Sequence, residues 1–193
     1  MACQPHDPPQ DALLEGLAAG REDAFAALYD AYALRLFAAA CRMLGSQGEA
    51  EDAVQDIFVG LVRAGGRLRR VRDLRAYLFA SLRHAAVQRR RRQGAAALDA
   101  AEALADPSPA PGAAGLATAS PWRAGAAGDV ESRLEQALRR LPPEQRQAVA
   151  LHIDGGLTFA QVAEVTGVSP NTAASRYRYA LERLRDALRH EGA

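Results

Sequence analysis

Residues 158–183 read TFAQVAEVTGVSPNTAASRYRYALER, and this stretch decides the fold. Thr158 can cap a short helix over Phe159 to Val165. Gly167 then supplies a turn, where positive φ suits a residue without Cβ. Ser169 is placed as the N-cap of a second helix, and Pro170 takes its first position. Ala163 is small where the two helices must cross. On the second helix the spacing puts Ala173, Tyr177, Leu181 and Leu184 inward. Asn171, Thr172, Ala174, Ser175, Arg178 and Tyr179 fall on or near the outer side. This is helix-turn-helix grammar, and the outer face mixes amide, hydroxyl and guanidinium groups that can read base edges and hold phosphate. A plain helical hairpin gives a similar string, but the basic tail of Arg176, Arg178, Arg183, Arg185 and Arg189 argues for DNA.

Working outward, a helix is expected from Asp129, with Val130, Leu134, Ala137, Leu138 and Leu141 as its apolar stripe. Pro142-Pro143 stops it and opens the next, Glu144 to His152. Asp154-Gly155-Gly156 reads as a turn. Upstream, residues 11–19 form a short helix ended by Gly20. From Glu22 to Leu44, Phe25, Leu28, Tyr29, Tyr32, Leu36, Phe37 and Met43 recur at helical spacing. A helix from Glu49 to Val62 carries Ala50, Ala53, Val54, Ile57, Phe58 and Leu61 on one face, and Gly65-Gly66 break it. After the basic stretch GGRLRRVRD, a helix from Asp73 to Arg92 presents Leu74, Tyr77, Leu78, Leu82 and Val87. The expected fold class is all-α: a small bundle over residues 11–92, a flexible Ala/Gly/Pro-rich tether over 93–128, and a helix-turn-helix domain over 129–190. The single Trp, Trp122, lies in the tether.

The net charge of +1 conceals an asymmetry. Residues 1–62 carry ten acids against three Arg, whereas residues 63–92 carry eleven Arg against one acid, Asp73. Such a split points to a nucleic-acid face beside an acidic protein-contact face. The chain has no Lys, so all 24 Lys/Arg positions are Arg; a GC-rich genome accounts for most of that, and Arg also suits bidentate contacts to phosphate and guanine. Cys3 and Cys41 lack metal or redox spacing, and the four His are scattered. No metal site and no cofactor are expected. There is no phosphate-binding Gly loop and no nucleophile motif, so an enzyme is not expected either. Asp52 and Asp56 share a helix face, but no His stands nearby to make acid–base or metal chemistry of them. The polar N-terminus has no signal-peptide core, and no apolar run approaches a membrane span. A reduced, cytoplasmic protein without membrane insertion is expected.

Two segments together resemble a known family. LPPEQRQAVALHIDGGLTFAQVAEVTGVSPNTAASRYRYALERLRDAL is similar to the promoter-binding fourth region of extracytoplasmic-function (ECF) sigma factors. AFAALYDAYALRLFAAACRMLGSQGEAEDAVQDIFVGLVR resembles the family's second region, and LRAYLFASLRHAAVQRRRR its promoter-melting helix. The resemblance implies a transcription initiation factor that binds core RNA polymerase and promoter DNA, and that is often held by an anti-sigma protein. It implies that Asp52, Gln55, Asp56 and Phe58 lie in the polymerase-binding helix. It implies that Arg67, Arg69, Arg70, Arg72, Tyr77, Arg83, His84, Gln88 and Arg89 engage and melt the minus-ten element. For the minus-thirty-five element it implies Asn171, Thr172, Ala174, Ser175, Arg176, Arg178, Tyr179 and Arg183. Tyr77 stands where the family commonly has Trp, His84 where it has Asn, Gln88 where it has Asp, and Ala173 where it has Val, so neither promoter sequence carries over. The competing reading is a conventional helix-turn-helix regulator that binds DNA without polymerase; the Val54-Gln55-Asp56 helix and the Arg-rich segment argue against it.

Overall fold

The computed structural model describes residues 9–103 and 129–190, with side chains over 9–92 and 133–189. Every described element is helical: α1 (Gln10–Ala18), α2 (Glu22–Leu44), α3 (Gln47–Ala64), a 3₁₀ segment (Gly65–Arg70), α4 (Leu74–Ala103), α5 (Asp129–Arg140), α6 (Pro143–Val149), a π-helical turn (Ala150–Asp154), α7 (Phe159–Thr166) and α8 (Pro170–His190). Trp122 and Cys3 lie outside the described residues.

The first four helices make the expected bundle. Leu28, Leu36, Ala39 and Ala40 of α2 are fully buried against Ala50 and Ala53 of α3 and Leu78 and Leu82 of α4. By length and composition α2 could cross a membrane, with a mean hydropathy of 1.3 over its best window. This departs from the sequence reading, because many small Ala residues raise the average without forming an unbroken run of large apolar ones. Its large side chains Leu28, Tyr32, Leu36 and Met43 lie in the bundle core.

Local chemistry sets the joints. Ser46 Oγ accepts from the Glu49 N–H at 3.5 Å and caps α3. Asp73, the lone acid of the basic stretch, caps α4 by accepting from the Ala76 N–H at 2.9 Å. The Gln10 side chain donates to the Arg72 carbonyl (2.7 Å) and accepts from the Leu74 N–H (3.1 Å), which fixes the 3₁₀ exit to α1. The basic stretch is thus 3₁₀-helical over Gly65–Arg70 and pinned by buried Leu68. The α4 backbone continues to Ala103, beyond the expected stop at Arg92. The Ala-rich continuation has strong helix propensity, which composition-based reading assigned to the tether.

In the C-terminal half, Thr158 and Gln161 form a reciprocal capping box on α7, with Gln161 N–H to Thr158 Oγ1 at 3.3 Å and Thr158 N–H to Gln161 Oε1 at 2.8 Å. Gly167 sits at φ 73° and closes α7 through its N–H to the Ala163 carbonyl at 2.8 Å. Thr158→Ala should lower stability by about 1 kcal/mol, read as an earlier urea midpoint with unchanged slope. A full loss of the fold from that one change would contradict the cap's assigned role.

Three sequence assignments are corrected. Leu181 is 39% exposed, and fully buried Ala180 takes its inner place. The core stripe of α8 runs 173, 177, 180, 184, so 181 falls past its edge. Tyr77 is 38% exposed and is not core, whereas Phe79, absent from the expected face, is fully buried. The expected helix from Glu144 to His152 instead starts at Pro143 and widens into the π turn, where the Gly155 N–H reaches back five residues to the Ala150 carbonyl at 3.0 Å.

Candidate nucleic-acid and polymerase interfaces

The helix-turn-helix presents its outer face openly. Asn171, Thr172, Arg178, Tyr179 and Arg183 are exposed, and Ala174, Ser175 and Arg176 are half-buried. The Arg178 guanidinium lies over the Tyr179 ring at 5.3 Å, which orients a cation along the helix flank. Ser169 caps α8 by accepting from the Thr172 N–H at 3.1 Å, and the two hydroxyls are 2.9 Å apart. The Thr172 hydroxyl is thus partly committed to the cap. Behind this face an aromatic cluster that the sequence did not signal ties three elements: His152 stacks on Phe159 at 4.4 Å and meets Tyr177 edge-on at 4.7 Å. His152 Nδ1 lies 2.7 Å from the Leu157 carbonyl. These contacts set the crossing of α7 and α8, and hence the pitch of the recognition helix.

In the N-terminal bundle, Arg67, Arg69, Arg70 and Arg72 are all exposed on and just after the 3₁₀ segment. Tyr77 and His84 line a groove of about 410 Å³ between α3 and α4, with Asp56, Gly60 and Ser81 on its walls. Gln88 is half-buried further along α4. Arg89 donates to Asp56 at 2.6 Å, so a residue expected to hold DNA is paired with one expected to hold polymerase. The sequence kept these two surfaces apart; the structure makes them adjacent walls of one groove. Arg83 is half-buried, and its Nε has no hydrogen-bond partner.

On α3, Asp52, Gln55 and Asp56 are exposed, and Phe58 is half-buried with its ring centroid 5.2 Å from that of Tyr29. Val59 (40% exposed) and Val62 (62% exposed) extend this face. Sequence reasoning missed both, although Val59 stands seven residues after Asp52, two helical turns along the same face. The result is an acidic strip that grades into an apolar one.

Residues 28–96 match the family model for sigma-70 region 2, and residues 131–184 match that for sigma-70 region 4. The ECF RNA polymerase sigma factor SigK of Mycobacterium ulcerans is 32% identical over 92% of this chain and 92% of its own length. The chain belongs to the ECF RNA polymerase sigma factors. The RNA polymerase sigma factor CarQ of Myxococcus xanthus is 30% identical over 88% of this chain and 91% of its own. Among solved structures, the sigma factor RpoE in complex with the anti-sigma factor NepR from Bartonella quintana superposes with a TM-score of 0.61 at 27% identity, covering 81% of this chain and 90% of that one. The fold is also that of CnrH, solved with the cytosolic domain of CnrY, at a TM-score of 0.62 and 23% identity over 93% and 97% of the two chains.

As an ECF sigma factor the chain is a transcription initiation factor, and its family is one of transcription factors rather than catalysts. Among the described residues no cluster of three or more potential ligands forms a metal site. Burial pushes the Cys41 thiol up to about 11, with the Glu135, Glu51 and Asp154 carboxylates adding to the effect. Its thiolate is thereby suppressed at neutral pH.

Proposed function

We propose a division of labour between the two halves of this sigma factor. The α3 strip of Asp52, Gln55, Asp56 and Phe58, extended by Val59 and Val62, docks on core RNA polymerase. The 3₁₀ cations Arg67, Arg69, Arg70 and Arg72, with Arg83 and Arg89, hold the minus-ten backbone, while Tyr77, His84 and Gln88 meet bases of the opened strand. Tyr77 offers an exposed ring in the α3–α4 groove, and stacking on aromatic rings is one way single strands are held. The exposed face of α8 reads the minus-thirty-five element. The supporting observation is that three surfaces lie open on separate stretches of one chain: acidic–apolar on α3, cationic at Arg67, Arg69, Arg70 and Arg72 on and just after the 3₁₀ segment, mixed polar on α8. The chain itself performs no catalysis and works in the cytoplasm alongside the polymerase. Its inhibitor would be a protein of the anti-sigma kind, as in the solved complexes of its relatives.

The halves separate experimentally. Tyr77→Ala with Arg69→Ala and Arg70→Ala should leave the upstream footprint of the holoenzyme intact and abolish permanganate reactivity of unpaired thymines near the start site. Arg178→Ala with Arg183→Ala should weaken the upstream footprint and flatten the dependence of log affinity on log salt by about 1.8, at about 0.9 per lost phosphate contact. If both sets of variants failed identically, the division of labour would be wrong.

A further inference from the structure

Helix α8 rests on two separate apolar clusters. Ala173, near its start, belongs with Val162 and Ala163 of α7 to the core that the C-terminal half shares with the N-terminal bundle. Ala180 and Leu184, further along, pack with Ala137 and Leu138 of α5 and Val149 of α6. Tyr177 lies between these two groups, about 6 Å of axial rise after Ala173.

The crossing beside the turn is made of small groups. Ala163 and Ala173 are both buried, but a methyl makes few of the contacts that hold a packing angle. The angle of α8 is therefore set further along, at Tyr177. There the contact is aromatic. The His152 ring lies nearly parallel to that of Phe159, with 16° between the planes at 4.4 Å, and meets the Tyr177 ring at 73° and 4.7 Å. Phe159 and Tyr177 are themselves 5.5 Å apart. Stacked and edge-to-face rings have preferred geometries, so three rings in mutual contact define an angle that methyl groups cannot.

Two of the three rings are anchored independently of α8. Phe159 opens α7 directly after the Thr158 cap. His152 is half-buried on the π turn, a helix irregularity that recurs at functional sites. A carbonyl oxygen only accepts, so the 2.7 Å contact requires that His152 Nδ1 carry a proton and donate it to the Leu157 carbonyl. That bond stops the imidazole from swinging out. The ring is thus a fixed wedge, and Tyr177 is the part of the recognition helix that rests on it.

We infer that His152 is a positioning residue for sequence discrimination at the minus-thirty-five element, acting through Tyr177 on the angle at which α8 enters the groove. This deepens the function proposed above and rests on it. Long Arg side chains on phosphate tolerate a small tilt of the helix. Contacts from Asn171 and Ser175 to base edges do not, because they carry the sequence information through aligned hydrogen bonds. Loss of the wedge therefore lowers discrimination and leaves most of the sequence-independent affinity in place.

The test uses holoenzyme on a promoter fragment found by run-off transcription, and on the same fragment with its minus-thirty-five element scrambled. The readout is the ratio of the two affinities. An unfolded fraction weakens both alike and leaves the ratio unmoved, so the ratio separates positioning from stability. His152→Asn keeps an N–H donor near the Nδ1 position and removes the ring. It should lower the ratio at least about tenfold, the scale of one lost base contact, with affinity for the scrambled fragment within about threefold of wild type. His152→Phe keeps both ring contacts and should hold the ratio within about threefold of wild type. Tyr177→Leu should reproduce the loss from the helix side, and carries the same test should the Asn variant fail to fold. The two losses should not add, as expected of residues that act through one contact. A wild-type ratio in the ring-deleted variants would overturn the inference alone, as would a loss in His152→Phe as large as in His152→Asn. A wild-type factor that does not distinguish the two fragments would overturn the minus-thirty-five reading itself, and this inference with it.

Discussion

Phe79→Ala is expected to cost about 3–5 kcal/mol of stability, the range for deleting a fully buried aromatic ring. That is a large fraction of the about 5–15 kcal/mol that holds a typical domain. Phe79 is fully enclosed, with the core of the bundle on one side and the Gly155 backbone on the other. Removing the ring leaves a cavity in the shared core beside the Gly155 turn. The urea midpoint should fall accordingly, and the thermal midpoint by on the order of 10 °C. Tyr77→Ala, two residues earlier but 38% exposed, should change stability by less than about 1 kcal/mol. Equal losses at the two positions would mean that the register of α4 is wrong.

Asp52→Arg combined with Asp56→Arg is expected to weaken binding to core RNA polymerase by at least about 100-fold, equivalent to about 3 kcal/mol. Both carboxylates are exposed, so the substitution should leave folding intact. On the proposed docking each reversal also adds a like-charge contact, so the effect exceeds simple loss of attraction. The Asp56 change also sets a guanidinium beside Arg89, its present partner at 2.6 Å, which frees Arg89 for DNA. Competition against a labelled wild-type factor for core polymerase measures the loss. An affinity within about threefold of wild type would remove these residues from the interface.

What the sequence showed, and what it hid, follow from the range of the forces involved. The limits of α2, the cap at Thr158, the turn at Gly167 and the Ser169–Pro170 start of α8 are local signals, and all were legible, whereas the reciprocal part of Gln161 in that cap was not read. Leu181 was misplaced because helical spacing identifies a face only to within about one residue of its edge. The exchange of Tyr77 for Phe79 has a different cause. Helix α4 packs on α2 and α3 along one side and on α7 along another, so its buried arc is too wide for a single stripe to describe. Asp73 read as an isolated acid in a cationic run, yet it caps α4 and accepts from Gln161, 88 positions away. The Arg42–Asp154 pair spans 112 positions and leaves no local trace at all. The candidate residues on α8, α3 and the 3₁₀ segment were legible as polar faces, whereas the adjacency of Asp56 to Tyr77, His84 and Arg89 across the α3–α4 groove was not.

The most direct measurement is run-off transcription on a pool of genomic promoter fragments, with core RNA polymerase alone and with core plus this protein. Discrete start sites that appear only with the protein, each carrying common elements near minus ten and minus thirty-five, are the predicted result. DNA binding by the protein alone, with initiation by core unchanged, would contradict it.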